Sequence, residues 1–570
     1  MRTLLSAGLA LWSLTTIGAT YYVDFDGGSN SNAGTSSGAP WKHAPGDARA
    51  SGSVVSSLTA GDSVLFKGGT SYILTNSGIN AGWSGTSNSP ITYASYGTGQ
   101  AILTTGPASA TATAYGIIGS AFRQWLVISN LAFIDIGGIR PNDPVWTVDT
   151  DGCSTNLLTA PPGGAAVSFT SGLSHSQIRD NTMRGIGTWT NASPLSGTQS
   201  VSGGGVSVEG GTNLVIAGNT MSHMRTGIRF QGTSARWFEN LKITNNTIGT
   251  FVVWLIDGSA AASAARFVDT VISGNTFGDK WQHDQSQWTG CGDAPHTDGI
   301  FLRNSGQPAV WTGTVIANNL FFSTSTNSSG GTAMIYLSEG GGGDCLIANN
   351  VSLNARDSAF IQVAPGSRQA GGRTVWFFHN TIFGGGSRPF RNTGTNHTFV
   401  MIGNIWARSA ASSTATLLNW EAFNPIASDR NVFWNHQIPA GTYYPIYRLN
   451  WPVAGSWTTW AGWQALGYDP RSVLSDPMFI DHTNAVITSR NLRIEAASPA
   501  RNLVSDLASL YPQFSQWLTN DIAGNPRVEP FDAGAYQYTG EAPPPPPPPA
   551  PSTNGAVTIG VLNVGTLSQQ

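Results

Sequence analysis

Between Val127 and Asn431 the apolar and polar positions follow one returning phrase: an apolar pair, two small or polar residues, an Asn, then often Thr and another apolar residue. It reads VISNLAF at Asn130, QIRDNTM at Asn181, VIAGNTM at Asn219, ITNNTI at Asn246, VISGNTF at Asn275 and VIANNLF at Asn319. LIANNVS at Asn350, WFFHNTI at Asn380, VMIGNIW at Asn404 and SDRNVFW at Asn431 complete it. Successive Asn residues lie 24 to 31 positions apart, except for three steps of 51, 38 and 44 that carry insertions. Self-similarity at this period means a solenoid, in which each repeat buries its apolar face against its neighbours.

A second alternation falls between the Asn phrases: VSVEGG from Val206, IRFQG from Ile228, IFLRN from Ile300 and IYLSE from Ile335. Short apolar/polar alternation bounded by Gly and Asn predicts strands, and no period has room for amphipathic helices. Two or three short strands per turn make a right-handed parallel β-helix. A β-sandwich with Asn-rich turns is the competing architecture, but sandwiches do not repeat one phrase. Asn at the corner tolerates the left-handed backbone region, and stacked coils would join the side-chain amides in a ladder.

Aligning the second strand of each coil predicts an outward column of Ser168, Ser207, Arg229, Leu255, Phe301, Tyr336 and Gln362. A neighbouring column holds Thr170, Glu209, Gln231, Asp257, Arg303, Ser338 and Ala364. The alternate residues point inward. Glu209, Arg229, Asp257, Arg303 and Tyr336 thus gather mid-face, where coils about 4.8 Å apart would form a polar groove suited to a glycan chain.

Residues 1–19 read as a secretion signal: Arg2, a largely apolar Leu4 to Ile17, and small residues at Gly18-Ala19. A membrane anchor is the alternative, on a stretch short for a span. An exported protein, secreted or at the cell surface, is expected, with no membrane span. Residues 20–120 read as an N-terminal cap and first coils, 121–440 as the β-helix and 441–540 as a closing segment. Residues 541–570 begin with the proline run Pro543–Pro549 and read as linker and tail.

Charged residues make up 10% of the chain and its net charge is −3, so no basic field attracts nucleic acid. A monomer is expected. Cys153, Cys291 and Cys345 permit one bridge in an exported protein, with Cys291–Cys345 favoured because they flank neighbouring coils. Asp24, Asp26, Asn30 and Asn32 have the spacing of a Ca²⁺ loop and equally that of a solvated turn; no other cofactor is implied.

The opening YYVD…GGSNSNAGTS, then GDSVLF, the Gly69 to Tyr72 turn and the PITY strand resemble the secreted pectin-lyase-like β-helix proteins. The cap is most similar to the chondroitinase B and alginate lyase family. SDPMFID from Ser475, LRIEAASPARN from Leu492 and DIAGNPR…FDAGAYQY from Asp521 resemble their closing segments. The resemblance spans residues 21 to 540 and implies polysaccharide substrates.

The long insertion Gly278–Asn304 enters the polar face with Lys280, Trp281, His283, Asp284, Trp288, Asp293, His296 and Asp298. Loops of this length in compact folds are usually functional or disordered. His296 to Ile300 resembles the Asn-Thr-Asp-Gly motif of polygalacturonases, which carries over only to Asp298. The structural alternative has His296 capping the turn and Asp298 bonding backbone amides.

Three activities fit. A lyase acting on a uronate chain needs a cation on the carboxylate, a base and an acid. Arg229 and Arg303 would supply the first, and His296 and Tyr336 the others. A hydrolase needs two carboxylates, and Glu209 and Asp257 are predicted two coils apart, with Asp298 able to replace either. A non-catalytic glycan-binding protein needs neither. Trp281, Trp288, His283 and Lys280 are candidate substrate contacts, and Trp254 and Trp311 could also stack on sugar rings.

Overall fold

The computed structural model describes residues 18–105, 114–136, 164–186, 203–278, 298–304, 309–322, 333–355, 359–364, 373–384, 388–395, 397–409, 416–421, 426–440, 445–448 and 456–540. Cys153, Lys280, Trp281, His283, Trp288, Cys291, His296, the bulk of the signal segment and the tail lie outside them.

The chain winds as a right-handed parallel β-helix. Among the described residues a 13-stranded parallel sheet from Thr20–Val23 to Ile426–Asp429 forms one flank, and a 24-stranded sheet forms both other faces, here termed front and rear. The two are joined directly by Thr220–Gly232 and Thr247–Ala260, strands long enough to round the corner.

Inward residues stack in register from coil to coil. Val206, Ile228, Ile256, Ile300, Ile335, Ile361, Phe390 and Leu418 form one such file, each fully buried. Burying each side chain contributes about 1.5–3 kcal/mol, so the file is the spine on which the front face is mounted.

The Asn phrase makes the corner between flank and rear. From Asn181 to Asn431 each buried Nδ2 donates to the Oδ1 of the next Asn at 2.9–3.0 Å. The left-handed conformation belongs to the preceding residue, namely Asp180, Gly218, Asn245, Gly274, Asn318, Asn349, His379, Gly403 and Arg430. This corrects the expectation that one Asn does both: a side chain turned inward to a ladder leaves the turn itself to its neighbour. Asn130 sits at the turn position, with φ 53°, outside the ladder. At the far end Asn431 donates to Asp469 Oδ1 at 2.9 Å, and Asp469 accepts from the buried Trp463 indole at 2.8 Å.

Both ends are covered. Thr20–Val23 is shielded by a loop whose Trp41 is fully buried and stacks on Tyr21. The last front strand turns antiparallel against Ser456–Thr458, followed by the helix Trp460–Ala465. Segment 476–540 folds back along the flank–rear corner. There Arg527 donates to Asn349 Oδ1 at 2.7 Å, and Ala535 N–H donates to Thr381 Oγ1 at 2.8 Å.

One alternative is decided and one expectation revised. Asp24 accepts from Lys67 Nζ at 2.7 Å and from the amides of Asp26 and Gly27, while Asn30 Oδ1 takes the His43 amide. An ammonium seated on the carboxylate opposes a second cation, so these residues do not fit Ca²⁺ and form a turn. Cys345 is a free thiol, fully buried in the core between Thr314 and Val375. Its side chain points away from the surface, and the pairing with Cys291 is not made.

Buried histidines give the fold an acid limit. Burial, with Arg373 adding, brings His397 down to about 4, and burial holds His379 well below its ordinary value. Both stay neutral in the folded chain, so the unfolded chain takes up protons first as pH falls. The contribution of His397 is complete above about 6.5 and is lost toward about 4, and that of His379 is lost in the same direction. The urea midpoint is expected to drop across that window, and less so in His397→Gln.

Candidate active site

Register fixes the front column as Ser168, Ser207, Arg229, Asp257, Phe301, Tyr336, Gln362, Arg391 and Asn419. Asp257, not Leu255, follows Arg229, and Leu255 is fully buried. The pairing shifts between Met224 and Thr226, and the unbroken strand Thr247–Ala260 has no turn residue to mark where the front face starts. The neighbouring column accordingly contains Gln231, Ser259, Arg303 and Ser338.

The slip concentrates the chemistry. Asp257, 1% exposed, lies with Oδ2 3.7 Å from Arg229 Nε and Oδ1 3.5 Å from Arg303 Nε. Burial pushes its carboxyl up, against the pull of Arg303 and then Arg229. Arg303 lies over the rings of Trp254 and Phe301, at 5.1 and 5.0 Å from their centroids. Such cation–π contacts hold a guanidinium flat without consuming its donors. Phe301 stacks on Tyr336 at 5.0 Å, continuing the aromatic wall.

Burial also pushes the Tyr336 phenol up, with Asp298 among the further causes, so it stands protonated at neutral pH. Asp298 is fully buried, and its Oδ1 accepts the Ala333 amide at 3.2 Å, the backbone role that was the alternative for it.

Glu209 stands apart. Its carboxylate pairs with Arg236 at 3.1 Å, two residues beyond the column position held by Ser207. Glu209 is thus held by Arg236, while Asp257 lies between Arg229 and Arg303. Trp311 is core, 1% exposed, with its indole donating to Asn304 Oδ1 at 2.8 Å. Trp254 is half-buried beneath Arg303.

Farther along the same column, Arg391 meets Glu421 through two contacts, at 2.8 and 3.1 Å, and its Nη1 reaches Gln362 at 3.5 Å. This station lies one coil beyond Gln362, the last residue of the column predicted from sequence. The signal was there in the alternations RPFRN and LNWE, the same pattern one and two coils on.

No family model matches the chain, and no curated protein matches it. Among solved structures it is similar to a lacto-N-biosidase from Eubacterium ramulus, at 13% identity and a TM-score of 0.44 over 75% of this chain. That match spans 65% of the lacto-N-biosidase chain. A pectate lyase is 14% identical, TM-score 0.44, over 91% of this chain and 96% of its own. A complex of XylC with xylose is 10% identical, TM-score 0.49, over 91% and 98%. At such identities no site residue of these proteins transfers to this one.

Proposed function

We propose that this chain is an exported enzyme that degrades a uronate-containing polysaccharide by β-elimination, its substrate lying along the front face. The observation that carries the reading is the convergence of Arg229 and Arg303 on the buried Asp257, at 3.7 and 3.5 Å, in the middle of the front face. Two guanidinium groups on neighbouring outward columns suit the carboxylate of an acidic sugar, which arginine binds through paired donors.

In this reading the uronate carboxylate docks on Arg303 and Arg229, whose charge stabilises the enolate that forms when the adjacent C–H loses its proton. His296, two residues before the strand Asp298–Arg303, takes that proton. The bond to the departing sugar oxygen breaks, Tyr336 protonates that oxygen, and a conjugated double bond remains. The Tyr336 environment supports an acid role, since a phenol held protonated is ready to donate.

One observation favours hydrolysis instead: a carboxyl pushed up by burial, as at Asp257, suits a general acid. That reading needs a second carboxylate, for which Glu209 and Asp298 are the candidates. Digestion of pectate, alginate and glycosaminoglycans separates the two. New ultraviolet absorbance from the conjugated double bond supports elimination; new reducing ends without it overturn elimination for hydrolysis. Neither signal on any acidic polymer would leave only glycan binding.

Arg391 tests the extent of the groove. It lies three coils beyond Arg303, roughly 14 Å at ordinary strand spacing. Arg391→Ala is expected to raise KM for a polymer about tenfold, the loss of roughly 1.4 kcal/mol, with a smaller change in kcat. An unchanged KM would end the substrate track before this coil.

A further inference from the structure

Far from the front face, His436 and His482 bring two ring nitrogens together. His436 follows the rear strand Val432–Asn435, and its amide is anchored on Arg408 O at 2.9 Å. His482 follows Phe479–Asp481 in the folded-back segment. His436 Nδ1 and His482 Nε2 are 3.2 Å apart, with the rings at 76° to one another. Both rest on Trp434, at 5.3 and 5.0 Å between centroids, and Phe383 backs His482 at 5.6 Å.

That separation matches the bite of two imidazoles on one ion. Bonds of about 2.0–2.1 Å place two nitrogens roughly 2.9 Å apart at a right angle and roughly 3.4 Å apart at the tetrahedral angle. The aromatic floor supports both rings from one side, with His436 exposed and His482 half-buried. Among the described residues no third His, Cys, Asp or Glu completes a cluster, so water would fill the remaining positions.

We propose that His436 and His482 form a two-imidazole site for a late divalent transition metal such as Cu²⁺, Ni²⁺ or Zn²⁺, fastening the folded-back segment to the coil beneath it. Imidazole ligands and open water positions select these ions over Ca²⁺ or Mg²⁺. On binding, the ring that donates across the pair loses its facing proton to water and takes one from water on its far nitrogen, so both rings turn a lone pair to the metal and the proton count is unchanged.

The test uses the untagged full chain, stripped with a chelator and titrated with Cu²⁺ and with Zn²⁺. Wild type is expected to bind one equivalent more than His436→Gln or His482→Gln, variants that keep polar bulk at each position. Cu²⁺ electron spin resonance should show two nitrogen ligands at that site in wild type. Excess metal should raise the unfolding midpoint of wild type alone, since an ion that binds only the folded chain stabilises it. If stoichiometry, spectrum and midpoint are the same in all three proteins, the rings share only a hydrogen bond and the proposal is overturned.

Discussion

Replacing Asn350 by Ala is expected to destabilise the chain by on the order of 3–5 kcal/mol, with the front face untouched. Its Nδ2 donates to Ile316 O at 2.8 Å and to Asn380 Oδ1 at 3.0 Å. Its Oδ1 accepts both the amide and the side chain of Asn319, at 3.1 and 3.0 Å. Alanine would leave these partners buried and unpaired in mid-stack, where each orphaned polar group costs about 1–3 kcal/mol. An outer rung is the control. Asn213 accepts from Asn240 at 2.6 Å but is exposed, so water replaces the lost bond, and Asn213→Ala should cost only the roughly 1–2 kcal/mol of an alanine held at its left-handed φ of 50°. Urea midpoints of the two variants decide the matter. Equal losses would mean that the inner ladder fills space without holding the coils.

The same ladder shows why the coil stack was legible in the residues. Each inward Asn must match the one above it, so the constraint is written once per turn and the period appears directly. Which residue takes the left-handed turn was less legible, because Asn, Asp, Gly, His and Arg all occupy it. The front-face register failed at one point for a physical reason. Thr247–Ala260 passes from rear to front without a turn, so counting back from its Gly put Leu255 where Asp257 belongs. The place of segment 476–540 is set by partners more than 150 residues away, as in Arg527–Asn349 and Ala535–Thr381, and no local pattern encodes such a contact. The inserted loop follows no repeat, so its His296 could be argued only from chemistry and from a short motif.

Arg303→Ala is expected to lower kcat on a polyuronate by about 10²–10³, the usual loss when one preorganised donor to a developing oxyanion is removed. Arg303→Lys should recover little, because the fork that spans Asp257, Trp254 and Phe301 is planar and an ammonium is not. Asp257→Asn then separates the two chemistries. Under elimination Asp257 only aligns the arginines; the amide keeps an oxygen facing them, and the loss should stay within about tenfold. Under hydrolysis Asp257 gives the proton to the leaving sugar, and removing a general acid costs about 10²–10⁴. The pH profile moves with it: the alkaline fall in activity that marks deprotonation of a buried carboxyl would vanish in Asp257→Asn only if that group is the acid. A small loss with an unchanged profile, beside a crippled Arg303→Ala, is the pattern required of an enzyme that holds the uronate by its charge and leaves the protons to Tyr336 and His296.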